Sequence, residues 1–155
     1  MDLVDQRRSE LEDFISEGRK ALVNFLEFIG IPSPSLALVD AEPFMKYVSD
    51  WLSREDFAAL KQDDLRWLTT QIANVSAYYF ITKHNGKWLV NDIKGSEFYA
   101  RYVVGAFPGS KAMTAMVDPF SLSQNYMQTP PGRDLVAIVK EAEKQLVQLI
   151  QLGQN

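Results

Sequence analysis

His84 is the one histidine in a chain of 155 residues that contains no cysteine. A single imidazole cannot make a multi-histidine metal site and no thiolate can help it, so no metal is assigned. Ser–His nucleophilic chemistry would have to run through this residue. Beside Asn85-Gly86 it reads more simply as a cation at a helix C-terminus, where the dipole favours it. Asp63-Asp64 could hold a hard cation or do acid/base work. An acidic pair there is also what a helix N-terminus attracts, and capping is the preferred reading. Glu10, Glu12, Asp13 and Glu17 alternate with Arg7, Arg8, Arg19 and Lys20 as a solvated helix face. Val104–Lys111 has the glycines of a phosphate loop but lacks the Gly-Lys-Ser/Thr ending and leads into no helix. It reads as a loop between strands, a place where recognition residues collect.

Asp118-Pro119-Phe120 carries more. The plain account is a strand-to-helix junction, with Asp118 as the cap and Phe120 filling the core. The sharper one adds a small pocket lined by Trp88, Tyr102, Phe120 and Tyr126, although aromatics this dense are more often core. Arg101 stands mid-strand, where it is expected to pair with Asp92 or Glu97; an anion site is the less favoured use. Trp88, Arg101, Tyr102, Asp118, Phe120 and Tyr126 are therefore the candidate binding residues. No catalytic residue, metal or cofactor is assigned.

The elements that must position them follow from periodicity and chain breakers. Apolar residues at Leu11, Phe14/Ile15, Ala21/Leu22, Phe25/Leu26 and Ile29 predict one long helix over residues 2–29, closed by Gly30 and the prolines at 32 and 34. Residues 31–41 are too apolar for a solvated tether and should lie over the core. A second helix is predicted over 42–52, with Pro43 in its first turn. A short third helix should be capped by Ser53, and a fourth by Asp63, with Leu65, Leu68, Ile72, Val75 and Tyr79 on one face. Residues 77–84 have strand propensity, and Asn85-Gly86 suits a hairpin. The unbroken three/four spacing favours a helix to His84 instead, with Asn85-Gly86 as its C-cap. Lys87–Ile93, Phe98–Phe107 and Ala112–Val117 then read as a three-stranded antiparallel meander. A short helix runs from Pro119 through Met127, Pro130-Pro131-Gly132 breaks the chain, and a last helix spans Arg133 to Leu152, closed by Gly153. The expected fold is α+β in one domain over 1–155: N-terminal helices, a small meander and a C-terminal helix.

With those elements placed, residues 65–146 show a helix ending in a glycine turn, then Gly86-Lys87-Trp88, Val104-Gly105, Asp118-Pro119-Phe120 and a leucine-rich helix. This pattern resembles a loosely defined group of uncharacterised bacterial domains, a resemblance that supports the helical reading of 64–84 and implies no substrate.

Charge and composition bound the partners. Sixteen basic against twenty acidic residues give a net charge of −4. With no Lys/Arg run to offset that sign, nucleic acid and anionic membrane surfaces are disfavoured. Met1–Arg8 lacks an apolar signal core, and the longest apolar-leaning stretch, 21–31, is too short to span a bilayer. A cytoplasmic protein is expected. The leading function is a non-catalytic protein-interaction domain, an adaptor or neutralising protein, with an exposed apolar patch near the 107–112 loop or the Trp88 strand. The alternative is a small-ligand-binding domain, or an enzyme using carboxylates, Arg and Tyr, with an unpaired Arg101 or Asp118 in a pocket. The long N-terminal helix, if its first turns overhang the body, would offer a homodimer seam. Met113, Met116 and Met127 would soften a contact surface or fill gaps.

Overall fold

In a computed structural model the described residues are 2–129 and 134–152. Six α-helices and two short strands are seen among them: α1 (Leu3–Ser9), α2 (Leu11–Phe28), α3 (Glu42–Ser53), α4 (Gln62–His84), β1 (Lys87–Val90), β2 (Tyr102–Gly105), α5 (Pro119–Gln128) and α6 (Leu135–Leu152). The architecture is α+β and mostly helical.

Everything is arranged around α4. Its residues 71–80 are buried without exception, so this stretch of helix has no solvent face. A helix enclosed on all sides needs apolar or small residues all round, and Ile72, Ala73, Val75, Ala77 and Phe80 supply them. Helices α2, α3 and α5 and strand β2 pack against it. Leu22, Phe25 and Leu26 of α2, Val48 and Leu52 of α3, Leu122 and Tyr126 of α5, and Leu135, Val139 and Leu146 of α6 complete one continuous core.

The end of α4 resolves the helix-or-strand question in favour of the helix. Asn85 takes the left-handed conformation (φ 57°) and closes it. Gly30 (φ 88°) follows α2 in the same conformation, as expected. Residues 31–41 lie over the body only in part: a 3-10 turn over Pro34–Leu38 buries Ala37 completely, but Leu36 and Val39, apolar residues that suggested a covered segment, are exposed.

Four expectations need correction. The N-terminal helix is not continuous. It breaks at Glu10, which lets α1 bury Val4 and dock beside β1. Tyr102 Oη donates to Arg7 O (3.0 Å), and Arg8 pairs with Asp92 (2.7 Å). The first turns therefore do not overhang the body as the homodimer seam required. Second, Ser53 ends α3 rather than capping a new helix; Asp56 caps a single 3-10 turn over Phe57–Ala59. Third, Lys61 occupies the N-cap of α4, and Asp63 and Asp64 sit in its first turn, where they complement the dipole without capping.

Fourth, the meander has two strands, not three. β1 and β2 pair antiparallel in the register Lys87↔Gly105 through Val90↔Tyr102. Ala100 (φ 67°) and Ala106 (φ 54°) stop β2 at either end with backbone that a strand cannot adopt. Residues 112–116 bond among themselves (Ala115 N to Ala112 O, 3.1 Å; Met116 N to Thr114 O, 2.9 Å) instead of laddering on β2. The third segment keeps a single bridge, Val117↔Val104. The start expected at Arg133, the break at Pro130-Pro131-Gly132 and the stop at Gly153 lie outside the described residues.

No helix among the described residues is long and apolar enough to cross a membrane.

Candidate functional site

The six candidate residues fall into three places. Trp88 and Tyr102, on neighbouring strands, and Phe120, at the start of α5, converge on Phe14 of α2. The Phe14 ring stacks on Tyr102 (4.0 Å), meets Trp88 edge-on (4.9 Å) and lies 6.4 Å from Phe120. Trp88 and Tyr102 are buried, so this cluster is core rather than pocket lining. Tyr126 lies apart from it, fully buried against Phe57 (6.2 Å). Arg101 and Asp118 form the third place, and they pair with each other. Arg101 Nε is 3.1 Å from Asp118 Oδ2, and Nη2 donates to Oδ1 (3.2 Å). The expected partners are otherwise placed: Asp92 engages Arg8. Arg101 also lies over the Phe98 ring at 5.0 Å.

A shallow groove of about 540 Å³ runs past this pair between α5 and α6, lined by Phe98, Met116, Asp118, Leu122, Ile138 and Leu149. Asp118 offers it no free charge. Its Oδ1 also accepts the first-turn N–H groups of Phe120 and Ser121, both at 3.0 Å. Oδ1 is committed to its own helix and its own arginine, while buried Oδ2 meets Arg101 Nε as a charge contact without a hydrogen bond.

A second cluster escaped sequence reasoning. His84 is not a solitary exposed cation: its Nε2 lies 2.6 Å from Glu143 Oε2, on α6. A carboxylate only accepts, so Nε2 carries the proton. Lys83 Nζ donates to Glu42 Oε2 (2.6 Å) and to Tyr79 Oη (3.0 Å), and lies 3.1 Å from Glu143 Oε2. Tyr79 Oη in turn donates to Glu143 Oε1 (2.8 Å). Glu42, Tyr79, Lys83, His84 and Glu143 thereby tie α3, α4 and α6 together. Tyr79 and Lys83 are one helical turn apart and so legible as neighbours; Glu143, 59 positions beyond His84, gave no local signal.

These contacts fasten α3, α4 and α6 to one another, and the charge states fit that arrangement. Burial pushes the Tyr79 phenol up to about 12, so it holds its proton at neutral pH and cannot act as a base. Burial also pushes the Glu143 carboxyl up. The bonds from His84, Tyr79 and Lys83 outweigh that, and it settles below its usual 4.5. The bond from Lys83 holds Glu42 below the same value, and the bond from Glu42 raises the Lys83 ammonium. Among the described residues no group of three or more His, Asp or Glu is placed to hold a metal ion.

Stability should therefore fall at both pH extremes. Depressed carboxylates stabilise the fold above 4.5 and lose that contribution as pH falls through their folded values. The raised Tyr79 contributes fully below 10 and is lost between 10 and about 12, with Tyr78 and Tyr102 adding to the same arm. Urea melts across pH should show Glu143→Gln flattening the acid arm and Tyr79→Phe the alkaline one. Unchanged slopes in both variants would mean the cluster does not form in solution.

The third feature is an aromatic face where α2, α3 and α4 meet. Phe25 and Phe28, one turn apart on α2, stand between Trp51 of α3 and Trp67 of α4. All four pairings are edge-to-face, with centroids 5.6–6.1 Å apart. Phe25 is buried, whereas Phe28 is 66% and Trp67 42% exposed, and Tyr47, one turn before Trp51, is 64% exposed. Beside them a groove of about 470 Å³ opens between the end of α2 and α3, lined by Ile31, Pro32, Phe44, Tyr47, Trp51 and Arg54, among others. The apolar patch expected near the 107–112 loop amounts there to Met113, which is exposed, while the Trp88 strand contributes a buried indole. The i,i+3 and i,i+4 aromatic spacings on α2 and α3 are visible in the sequence. Their convergence with Trp67 needs the fold.

Compared with family models, with curated proteins and with solved structures, the chain matches none.

Proposed function

We propose that this chain is a non-catalytic protein-interaction domain, an adaptor or neutralising protein, that engages its partner through the aromatic face of α2, α3 and α4. The observation that carries the reading is the exposure of Phe28, Tyr47 and Trp67 along one aromatic face, whose Tyr47 and Trp51 also line the adjoining groove. Large exposed rings held rigid by neighbouring rings are what interface centres are made of. Phe28 and Trp67 brace one another and are anchored by the buried Phe25, so little side-chain freedom remains to be lost on binding.

The small-ligand reading draws on the groove beside Asp118. Its recognition chemistry required an unpaired Arg101 or Asp118, and the two neutralise each other. The interaction reading is preferred on that ground. The resemblance to bacterial domains adds no activity to either.

A photo-crosslinking residue in place of Tyr47, compared with one in place of Lys144 on α6, tests the proposal. A discrete adduct from position 47 in native-cell extract, absent from position 144 and lost on Phe28→Ser, is the expected result. Equal adducts from both positions, indifferent to Phe28→Ser, would remove the aromatic face from consideration.

A further inference from the structure

We infer that Asn85-Gly86 is a self-modifying site: Asn85 deamidates to aspartate and isoaspartate when the end of α4 opens, and the left-handed cap keeps it unreactive while that end is closed. The inference is independent of the docking reading. In this reaction the main-chain nitrogen of the following residue attacks the side-chain amide carbon. A bond forms from Gly86 N to Asn85 Cγ, the Cγ–Nδ2 bond breaks, and the proton of the attacking nitrogen leaves with the side-chain amine as ammonia. Water then opens the cyclic imide at either carbonyl, so no oxidant or second enzyme is needed. Both reacting groups are uncommitted. Asn85 is exposed, and its side-chain amide makes no hydrogen bond among the described residues. The Gly86 N–H makes none either. Glycine also sets no side chain over the attacking nitrogen. Asn24, Asn74, Asn91 and Asn125 instead precede Phe25, Val75, Asp92 and Tyr126, whose side chains crowd that approach.

What the closed fold withholds is geometry. At φ 57° and ψ 33° the Gly86 nitrogen lies across the Cα–C bond from Cβ, where the imide ring cannot close. Asn85 has to leave the left-handed region before the two groups can meet, so the helix cap must open first. That end of α4 is held by Lys83 on Glu42 and by His84 on Glu143, both at 2.6 Å. Conversion is not silent. Either product places a carboxylate at the negative end of the α4 dipole. Isoaspartate also adds a methylene to the main chain directly before Gly86, where Phe107 and Val104 leave no room for a further carbon. The converted chain is therefore less stable at the α4–β1 junction, and the modification does not fold back into the original cap.

The full chain is held at mildly alkaline pH, folded or in urea, then digested. Mass spectrometry follows the peptide that contains Asn85, with exposed Asn125, which precedes Tyr126, as internal reference. Asn85 is expected to convert to aspartate and isoaspartate in the unfolded chain, and at least about tenfold more slowly in the folded one. Glu143→Gln, which loosens the ties at the end of α4, should raise the folded rate at Asn85 and leave Asn125 unchanged. Sub-denaturing urea on the parent chain should do the same, and this arm holds whether or not the variant folds. Equal rates in folded and unfolded chains would overturn the inference, because the cap would then protect nothing. An Asn85 that stays intact in urea would overturn it as well. So would a folded rate that neither Glu143→Gln nor low urea changes, since conversion would then not pass through an opened cap.

Discussion

Asp118→Ala should lower the unfolding free energy by about 3 kcal/mol. One carboxylate performs two tasks. It satisfies two orphan N–H groups at the start of α5, and it neutralises Arg101. Loss of an N-cap costs about 1 kcal/mol. Stranding the partner of a buried ion pair costs about 3–5 kcal/mol, a figure to be discounted here because the Arg101 side chain is 32% exposed and can turn to water. Asp118→Asn keeps an acceptor for the cap while removing the charge, so it should cost about 1 kcal/mol. Urea denaturation of the two variants separates cap from charge. Equal, small losses in both would contradict the commitment of Asp118 to structure and reopen it as a ligand group.

Gly86→Ala is the second large effect, and its cause differs from the one the sequence suggests. Asn-Gly after a helix points to glycine as the residue with positive φ, but Asn85 takes that conformation. Gly86 is needed for space. A Cβ there would lie 2.5 Å from Phe107 Cε1 and 2.7 Å from Val104 Cγ1. Both neighbours are buried and cannot swing away. Overpacking of this kind costs about 1–3 kcal/mol. Asn85→Gly, which relieves the left-handed backbone, should be close to neutral. A thermal or urea midpoint for Gly86→Ala equal to that of the parent would show that Phe107 yields freely.

These two positions also show what the sequence could and could not convey. Chain breakers and helical spacing are local, so the ends of α2, α4 and α5 were legible at Gly30, Asn85 and Pro119. The third strand was not. Ala112–Val117 has strand-like residues, but its pairing depends on whether residues 106–111 return it alongside β2. Turns within 112–116 let only Val117 reach Val104. The candidate residues were legible as a group and wrong in role. Trp88, Tyr102 and Phe120 do converge, yet on a phenylalanine from a helix more than seventy residues earlier, and that contact turns a pocket lining into core. Arg101 was given neighbours within its own hairpin, the only candidates that register makes visible. Its actual partner caps the next helix. The lone His84 looked unpartnered because its partner, Glu143, arrives on the final helix.

The enclosure of α4 has a mechanical side. Trp67, at the aromatic face, and Lys83, in the Glu42–Tyr79–Glu143 cluster, are residues of one rod, sixteen positions or about 24 Å apart. Between them every residue from 71 to 80 is clamped by neighbouring elements, so the shaft has no free segment in which to bend or absorb a displacement. A displacement imposed at Trp67 is therefore expected to reach the far end of the rod, where Lys83 and His84 are held at 2.6–3.1 Å from Glu42 and Glu143. Phe28→Ser, which unseats the ring braced against Trp67, should move the imidazole signals of His84 together with the Trp67 indole, and a motionless His84 would mean the rod is decoupled from its load.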